Sequence, residues 1–444
     1  GPIYISALAL SNVWCSTTAL MGGGVVRVLD TLATQAHGAK QHVEVNALLF
    51  RCMFGCTIMV VPLIFLWALT ERFLVLTGQD PDVAYHAGLY ARLMLPGLWP
   101  FLMFQSISQW LAAQSNLIPA VITGVVANIF NVFVNYLMIY GIGGVGGLGF
   151  VGAPIATSLS RAVMLFALVT CSWTRLKQTW TPDARAIVFQ RNKLVTYARL
   201  TVPNIGYMML EMWGFEINTV LVGLMGQAQL TAHVVCFNFG CLTYALSVGL
   251  SIAAATRTGN LLGAGKPQTA KSSSTLHIGT AALIMMCLCF PAFFFRRRIG
   301  ELYTHDANVL DIVEKLLCVM FALLFVDTGQ TVTSGVMRGL GRPTACSIAM
   351  FVGMYCVGLP LGATLGFAAH MGVMGLWTGL VSGLVITAMV VVSLVATADW
   401  DKAVEHAKAN AEGKVKADTS SDGGEVELSV VEPAQEDSDT VALL

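Results

Sequence analysis

The sequence predicts an all-α polytopic membrane protein made of two six-helix lobes that are related by an internal repeat. Only 11% of its 444 residues are charged, and the mean hydropathy is +0.71. A soluble domain would carry about a quarter charged residues. Long apolar segments recur, and several matching segments appear twice along the chain. The formal net charge is zero, which gives no reason to expect a nucleic-acid partner.

Apolar runs between polar residues predict eleven membrane helices. Each run extends to the roughly 20 residues that cross the hydrocarbon core of a bilayer. The predicted spans are residues 3–36, 45–70, 84–112, 118–141, 150–174, 197–224, 228–260, 272–295, 309–337, 344–367 and 372–397.

The helix order predicts two lobes and a tail. We expect an N-terminal lobe over residues 1–174, an inter-lobe linker over 175–196 and a C-terminal lobe over 197–397. Residues 398–444 are rich in Asp, Glu, Ser and Gly, have little apolar surface to bury and are predicted to be a disordered acidic tail.

Charged loop residues predict the orientation, because cytoplasmic loops carry an excess of Lys and Arg. One set of loops is basic, with Lys40, Arg175, Lys177, Arg185, Arg191, Lys193, Lys266, Lys271 and Arg342. The opposite set carries mainly Glu71, Asp80, Asp82, Asp306 and Asp311, with Arg296–Arg298 as an exception. The basic set and the tail are therefore placed in the cytoplasm.

Four pairs of segments repeat at nearly one spacing. "GAK" at Gly38 returns as "GAGK" at Gly263, and "QSISQW" at Gln105 returns as "QTVTSG" at Gln330, with the same separation in both pairs. "GQDPDV" returns as "THDANV" and "GFVG" returns as "GVMG", each at almost that separation. Repeats of this kind are typical of secondary transporters, whose site lies between the two halves.

The same spacing has a consequence for the beginning of the chain. Gly226 corresponds to Gly1, so the counterpart of the helix that carries Glu211 would precede residue 1. We therefore expect a six-plus-six protein whose first helix is absent from this sequence, with about eleven helices present.

Five collinear motifs resemble those of the multidrug and toxic compound extrusion (MATE) family, in its eukaryotic branch. They are "VLDTLATQAHGAK", "QSISQWLAAQSNLIP", "FVGAPIATSLSR", "EMWGFEINT" and "GVMRGLGRP", and the resemblance covers residues 1–397. It implies twelve helices in two lobes around a central cavity, and export of organic cations in exchange for H⁺ or Na⁺. We expect a monomer in the plasma membrane or in a vacuolar or endosomal membrane.

Three carboxylates lie deep inside predicted helices: Glu211, Glu216 and Asp327. An ionised carboxylate at mid-membrane costs about 2.5–3.5 kcal/mol or more, which makes a role in function the natural reading. The resemblance implies that acids at these positions bind substrate and protons. A permanently protonated acid that bonds neighbouring helices is the structural alternative for each of them.

Helical spacing places Glu211 on a stripe suited to an organic cation. At about 100° per residue the stripe contains Asn204, Tyr207, Glu211, Phe215 and Asn218. Its carboxylate would supply charge and its rings cation–π contacts of about 0.5–2 kcal/mol each.

Two further spacings place the other acids. Glu216 lies about 140° from Glu211 and is expected to point into the lobe. Asp327 begins a second polar stripe with Gln330, Thr331 and Ser334, whereas its repeat counterpart is Leu102.

Proton coupling is the predicted mechanism. A carboxylate in apolar surroundings favours its neutral form, so Glu211 is expected to be protonated in one facing state and ionised in the other. Bacterial members often have an aspartate at the position of Asn135, and its absence argues against an N-lobe Na⁺ site. H⁺ is therefore expected as the coupling ion, with no cofactor or metal.

Six other polar residues are given structural or gating roles. We expect Asp30 to pair with Arg27 and, together with Gln35, to brace the predicted cytoplasmic face. His233 and Asn238 are expected to face the C-lobe interior, where they would form hydrogen bonds between helices or belong to a proton relay. The remaining two are Asn131 and Asn135.

Two rival functions remain open at this stage, a Na⁺-coupled exporter and a flippase for lipid-linked oligosaccharides or lipids. A flippase for lipid-linked oligosaccharides should line its cavity with arginines, and Arg51 and Arg92 are the mid-helix candidates. An enzyme finds no support, since the chain has no HExxH motif, nucleophile elbow or Walker lysine.

Overall fold

The computed structural model describes residues 2–142, 145–303 and 306–412, and most of these residues are helical. The helices are α1 (Pro2–Val26), α2 (Leu29–Gly38), α3 (His42–Ala68), α4 (Thr70–Leu76), α5 (Pro81–Ala113), α6 (Ile118–Tyr140), α7 (Gly152–Cys171), α8 (Trp173–Leu176), α9 (Pro182–Val188), α10 (Arg191–Gly223), α11 (Gln227–Gly263), α12 (Pro267–Phe294), α13 (Arg296–Glu301), α14 (Ala307–Gly339), α15 (Pro343–Met350), α16 (Leu359–Ala363), α17 (Val373–Ala396) and α18 (Trp400–Glu412).

Short segments complete the fold. A 3₁₀ turn covers Gly149–Val151. The π-helical segment Phe351–Gly358 joins α15 to α16, and a second one, Thr364–Ala368, extends α16 at its C-terminal end, so that they form one long helix. The glycine-rich stretch after α6 forms a small antiparallel pair, Gly141–Ile142 with Val145–Gly146. This hairpin joins two membrane helices rather than a strand and a helix.

All eleven predicted spans are helical in the structure. Eight of the helices described are long and apolar enough to cross a membrane. The other three long helices, α5, α10 and α14, fall outside that group by composition, and α10 and α14 carry the three acids.

The internal repeat is confirmed at the level of helix boundaries. Helix α11 corresponds to α1 and α2 taken together, because it begins and ends at the repeat counterparts of Pro2 and Gly38. Helices α5 and α14 are related by nearly the same separation. Both begin with an aspartate cap, since Asp80 and Asp306 each accept bonds from two first-turn amides.

Each lobe has its own hydrophobic core. The N-lobe core runs from Cys15 to Tyr197 and includes Trp67 and Trp110. The C-lobe core runs from Tyr207 to Ala407 and includes Trp377. The chain therefore passes from one core to the other within α10, between residues 197 and 207.

Two boundaries differ from the prediction. Helix α10 begins at Arg191, inside the predicted linker, and the linker also contains α9. The predicted disordered tail contains α18, which buries Trp400, Ala403, Val404 and Ala407 in the C-lobe core. Their i, i+3, i+4, i+7 spacing is an amphipathic stripe that a reading of composition alone overlooks. Residues 413–444 lie outside the described residues.

The lobes are closed against each other at the basic end, defined here as the end that carries Lys40, Lys266 and Arg342. Helix α2 packs on the end of α11 so closely that a Cβ at Gly259 would overlap Thr34, and a Cβ at Gly263 would overlap the Gln35 carbonyl. Glycine at these two positions is what permits the close approach.

The exceptional arginines at the opposite end are paired locally. Arg296 lies 3.2 Å from Glu314, and Arg298 lies 3.2 Å from Glu301. Arg297 shares both glutamates with them, so this group of three arginines and two glutamates leaves one net positive charge at that end.

Candidate functional site

Glu211 and Asp327 are brought together by one glutamine. The Nε2 atom of Gln330 lies 3.2 Å from Glu211 Oε1 and 3.2 Å from Asp327 Oδ1. The two carboxylates come from different helices, α10 and α14, and both are buried, with 7% and 4% of their surfaces exposed. The sequence therefore placed two acids correctly inside the protein, and the structure shows that they share a donor.

The shared donor cannot satisfy every acceptor around it. Gln330 Nε2 carries two hydrogens, yet Thr331 Oγ1 is a third acceptor at 3.1 Å. On its carbonyl side, Gln330 accepts from Tyr207 at 3.3 Å and from Ser334 at 3.4 Å. The carbonyl is thus anchored, whereas the amide group divides its donors between the acids.

Tyr244 of α11 completes the surroundings of Glu211, because its hydroxyl donates to Glu211 Oε2 at 3.1 Å. Glu211 consequently has a donor on each oxygen. A buried carboxylate is tolerated when its oxygens are hydrogen-bonded in this way.

A cavity of about 140 Å³ opens beside the acids. Both lobes contribute to its wall, since Leu20 and Arg27 come from the N-lobe and the remaining residues from the C-lobe. The lining otherwise consists of the two acids, aromatic rings and sulfur-containing or aliphatic side chains: Met208, Glu211, Met212, Phe215, Phe237, Gly240, Cys241, Tyr244, Met320, Leu323, Leu324, Asp327 and Trp377.

This lining suits an organic cation. Phe215 and Phe237 have ring centroids 6.1 Å apart in the wall, and such rings attract cations through their faces. The three methionines supply flexible, polarizable surface that accommodates ligands of different shapes. The two acids supply negative charge to a mainly apolar wall that also contains one cation, Arg27.

The predicted α10 stripe is the buried face of the helix, but only part of it reaches the cavity. Asn204 is 1% exposed and bonds the carbonyl of Leu200 in its own helix. Asn218 is also 1% exposed, and its amide atoms have no partner among the described residues. Tyr207 contacts Gln330, so of the five residues Glu211 and Phe215 line the cavity itself.

Glu216 lies apart from the other two acids. It is half-buried, lies near Cys241 and does not line the cavity. Within the part of the chain that the structure describes, its carboxylate has no hydrogen-bond or ion-pair partner. The predicted angular separation of Glu216 from Glu211 around α10 agrees with this placement.

His233 braces the C-lobe. Trp377 Nε1 donates to His233 Nδ1 at 3.0 Å, and His233 Nε2 lies 2.8 Å from Thr219 Oγ1. Since Nδ1 accepts, Nε2 carries the proton and donates to Thr219. Both ring nitrogens are thereby engaged in joining α10, α11 and α17.

The prediction for Asn238 is wrong. Asn238 is exposed rather than directed into the C-lobe. The buried face of α11 passes through His233 and Gly240, and five residues of helix turn Asn238 about 140° away from His233.

The predicted gating residues lie at the closed basic end, with a partner that the sequence did not indicate. Asp30 is fully buried, and Arg338 of the opposite lobe donates to its Oδ2 at 3.0 Å. Arg27, the predicted partner, is farther away at 3.8 Å. Gln109 donates to the other oxygen of Asp30.

Further bonds cross the lobes beside this pair. Thr31 donates to the carbonyl of Arg338 at 2.6 Å, and Gln35 donates to that of Gly339 at 2.9 Å. Asn410 of α18 then donates to Gln35 at 3.3 Å. We name the set Asp30, Thr31, Gln35, Gln109 and Arg338 the basic-end clamp.

The N-lobe asparagines and two of its arginines are engaged with neighbouring groups. Asn131 donates to Ser160 at 3.0 Å, and Asn135 donates to Asn131, so these residues join α6 to α7. Arg51 pairs with Glu44 and bonds the carbonyls of Ile187 and Val188 in the linker. Arg92 pairs with Glu71 at 2.8 Å.

Sequence reasoning missed Tyr244 and Arg338. His233, Phe237, Gly240 and Tyr244 are spaced by i+4, i+3 and i+4 steps, which is the spacing of one helix face. That stripe could have shown that α11 faces α10. For Arg338 the sequence offered a lone cation at the end of an apolar helix, without any sign of its partner in the other lobe.

Two repeated helical lobes, closed at one end and sharing a cavity with buried acids, define a secondary transporter. The MatE family model matches residues 1–137 and 203–364, more than half of the chain. The chain therefore belongs to the MATE family, whose members are transporters and not enzymes.

Relatives and solved structures agree with this assignment. The chain is 32% identical to Protein DETOXIFICATION 16 of Arabidopsis thaliana over 92% of its own length and 83% of the relative. It is 28% identical to Multidrug and toxin extrusion protein 1 of Mus musculus over 94% and 72%. The crystal structure of the eukaryotic MATE transporter AtDTX14 superposes with a TM-score of 0.84 at 24% identity, covering 93% and 91% of the two chains, and shows the same fold.

Proposed function

We propose that this protein exports small organic cations, such as xenobiotics or secondary metabolites, in exchange for protons. The observation that carries the proposal is the pair of buried acids, Glu211 and Asp327, which share one glutamine donor at the wall of an aromatic, methionine-lined cavity. The names of the relatives, which speak of multidrug and toxin extrusion and of detoxification, support the same substrate class.

Protons and cations compete for the acids in this proposal. When a proton neutralises Glu211 or Asp327, the cavity loses the charge that holds a cation. When a cation occupies the cavity, its charge keeps the acids ionised. Because a ligand shifts an equilibrium only by its differential affinity, this competition couples the two gradients if the cavity opens alternately to each side.

Glu216 is proposed as a second proton-carrying group. A half-buried carboxylate without a partner is costly when ionised, and Glu216 lies on the same helix as Glu211 but off the cation cavity. It is therefore assigned to protons rather than to substrate.

Opening of the basic-end clamp is the step that gives access to the cavity in this proposal. With the clamp formed, the cavity is shut off from the predicted cytoplasmic side. Loading from the cytoplasm then requires Asp30 and Arg338 to separate, along with the bonds of Thr31 and Gln35.

Neither rival accounts as well for the site. The two arginines considered for a pyrophosphate-handling flippase, Arg51 and Arg92, are engaged with carboxylates, and neither lines the cavity. Arg27 does line the cavity, but it shares the wall with two acids, Glu211 and Asp327, which would repel a pyrophosphate. An N-lobe Na⁺ site would need a carboxylate, whereas Asn131 and Asn135 bond each other and Ser160.

The test is uptake of ethidium, a fluorescent organic cation, into vesicles that contain the purified protein and are acidic inside. We expect uptake that requires the pH gradient and is lost in Glu211→Gln. The matched control is Glu71→Gln, which removes an exposed acid and should leave uptake unchanged. Uptake that follows a Na⁺ gradient instead, or that persists in Glu211→Gln, would contradict the proposal.

A further inference from the structure

A second cavity, of about 630 Å³, lies at the basic end, away from the acids. Its walls come from the first turns of α10, the end of α14, the beginning of α15 and the inner face of α18. The cavity is separate from the cation site, since none of its lining residues appears in the wall of the cavity beside Glu211.

The chemistry of this basic-end cavity is cationic. Arg199, Arg342 and His406 line it, and Thr196 and Thr344 add hydroxyl groups. No Asp or Glu belongs to the lining among the residues that the structure describes. The described part of the site therefore has donors for an anion and no carboxylate that would repel one.

Among the described residues, the two arginines have no side-chain partner. Over residues 2–142, 145–303 and 306–412, neither Arg199 nor Arg342 has an ion-pair partner. By contrast, Arg51, Arg92 and Arg338 are each paired with a carboxylate. Arg342 is half-buried, which makes an unpaired guanidinium more costly than one in open solvent.

Apolar surface continues from the cationic part. Ile348 is 59% exposed and lies one turn beyond Thr344 on the same helix, and Leu394 of α17 lines the same cavity. Together these features form a basic pocket between membrane helices, with an apolar side that reaches the outer surface of the bundle. Basic pockets of this kind on the cytoplasmic side bind the head groups of anionic lipids.

We propose that the basic-end cavity binds the phosphate group of an anionic phospholipid, with Arg199 and Arg342 as its ligands. Arginine suits this role because its planar fork of donors matches phosphate oxygens. The acyl chains would lie along Ile348 and Leu394. The inference does not depend on which substrate or ion the acid cavity carries.

The position of the cavity predicts what binding does. Asn410 and Gly341 line it; Asn410 donates to Gln35 of the basic-end clamp, and a Cβ added at Gly341 would lie 3.5 Å from Gln35 Nε2. A phosphate held between α10, α15 and α18 would tie three C-lobe elements together beside the clamp. Bound lipid is therefore expected to stabilise the packing of these elements, which a rise in melting temperature would record.

The experiment uses delipidated, detergent-purified protein and three probes: phosphatidic acid, phosphatidylcholine and inorganic phosphate. Binding is titrated, and the thermal stability is recorded at each step. Phosphatidic acid should bind saturably and raise the melting temperature, and phosphatidylcholine should do neither. In the double variant Arg199→Gln, Arg342→Gln the affinity for phosphatidic acid should fall about tenfold or more.

Two variants keep the test specific. Arg175→Gln with Lys177→Gln removes two charges from the same predicted side of the membrane, outside the cavity, and should leave the affinity unchanged. Arg199→Lys with Arg342→Lys keeps the charge but loses the planar fork, and should bind more weakly than the wild type and more tightly than the glutamine variant. The melting temperature of the lipid-free glutamine variant, compared with that of the lipid-free wild type, shows whether its fold is retained.

Each remaining outcome has a defined meaning. Inorganic phosphate that protects as strongly as phosphatidic acid, and only when the arginines are present, would support the phosphate site and assign it to a free anion. Equal losses of affinity in both neutralised variants would show general charge attraction and overturn the proposal. Phosphatidic acid binding that is unchanged in Arg199→Gln, Arg342→Gln would overturn it as well.

Discussion

The two lobes share a helical framework but differ in what their polar residues do. In the C-lobe, Asp327 is held at the cavity by Gln330, and Tyr244 reaches Glu211. The repeat counterparts of Asp327 and Tyr244 are Leu102 and Ala19, which are buried in the N-lobe. The repeat thus supplies a symmetric scaffold, whereas the charge chemistry is placed on one side of it.

This difference between the lobes indicates which residues serve transport and which serve stability. The N-lobe asparagines Asn131 and Asn135 form hydrogen bonds within that lobe, so replacing them should lower the stability of the protein. The C-lobe acids Glu211 and Asp327 compete for the amide of Gln330, so replacing them should reduce transport. Four substitutions test this division, beginning with the one of largest expected effect.

Replacing Asp327 by asparagine should abolish proton-driven uptake of ethidium. Asparagine keeps the shape of the side chain and an acceptor for Gln330 but cannot release a proton. Uptake into acidic vesicles measures the effect. Asp311→Asn, at an exposed position of the same helix, is the control and should transport normally. Equal uptake by Asp327→Asn and the wild type would place the coupling elsewhere.

Asp30→Asn should cause the largest loss of stability. It leaves Arg338 buried without a charge partner, and removal of one member of a buried ion pair costs about 3–5 kcal/mol. The melting temperature measures the loss. The comparison variant is Glu71→Gln, whose pair with Arg92 is exposed and worth less than about 1 kcal/mol. Equal melting temperatures for Asp30→Asn and Glu71→Gln would contradict an important role for the clamp.

Gln330→Ala should weaken cation binding about tenfold, since hydrogen bonds to charged groups are worth about 1.5–3 kcal/mol each. The acids would remain but would lose the donor that positions them together. A binding titration with ethidium gives the affinity. Gln105→Ala removes the repeat counterpart in the N-lobe, and a decrease as large as that of Gln330→Ala would show that the site is shared by both lobes.

Asn131→Ala should have the smallest effect on transport. It breaks the bond to Ser160 and lowers stability by about 1 kcal/mol. The rate of ethidium uptake per folded molecule should stay within about twofold of the wild type, because the lost bond lies entirely within the N-lobe. A severe loss of uptake in Asn131→Ala would show that the N-lobe asparagines take part in transport.

The sequence predicted the framework well because its signals are local. Apolar length predicted eleven helices, and the spacing of "GAK", "QSISQW" and their later copies predicted the repeat. The acids were recognised because an ionisable residue is costly inside a membrane helix. Each of these arguments needs only the residues of a single segment or its copy.

The contacts between segments could not be predicted in the same way. Periodicity indicates which face of α10 is buried, but not that Met208 and Met212 rather than Asn204 and Asn218 reach the cavity. The pair of Asp30 with Arg27 was predicted because the two are close in sequence, and it is present at 3.8 Å, but the nearer partner, Arg338, lies in the other lobe and was not predicted. Helix α18 escaped notice because the polar residues around its apolar stripe resemble the rest of the tail.

The most direct test of competition at the acids is proton release on cation binding. Tetraphenylphosphonium, a cation with no proton of its own, is added to purified protein in weak buffer with a pH indicator. The wild type should release protons in proportion to the cation bound, and the double variant Glu211→Gln, Asp327→Asn should release none. Cation binding to the wild type without proton release would contradict the central claim that both ligands occupy the same carboxylates.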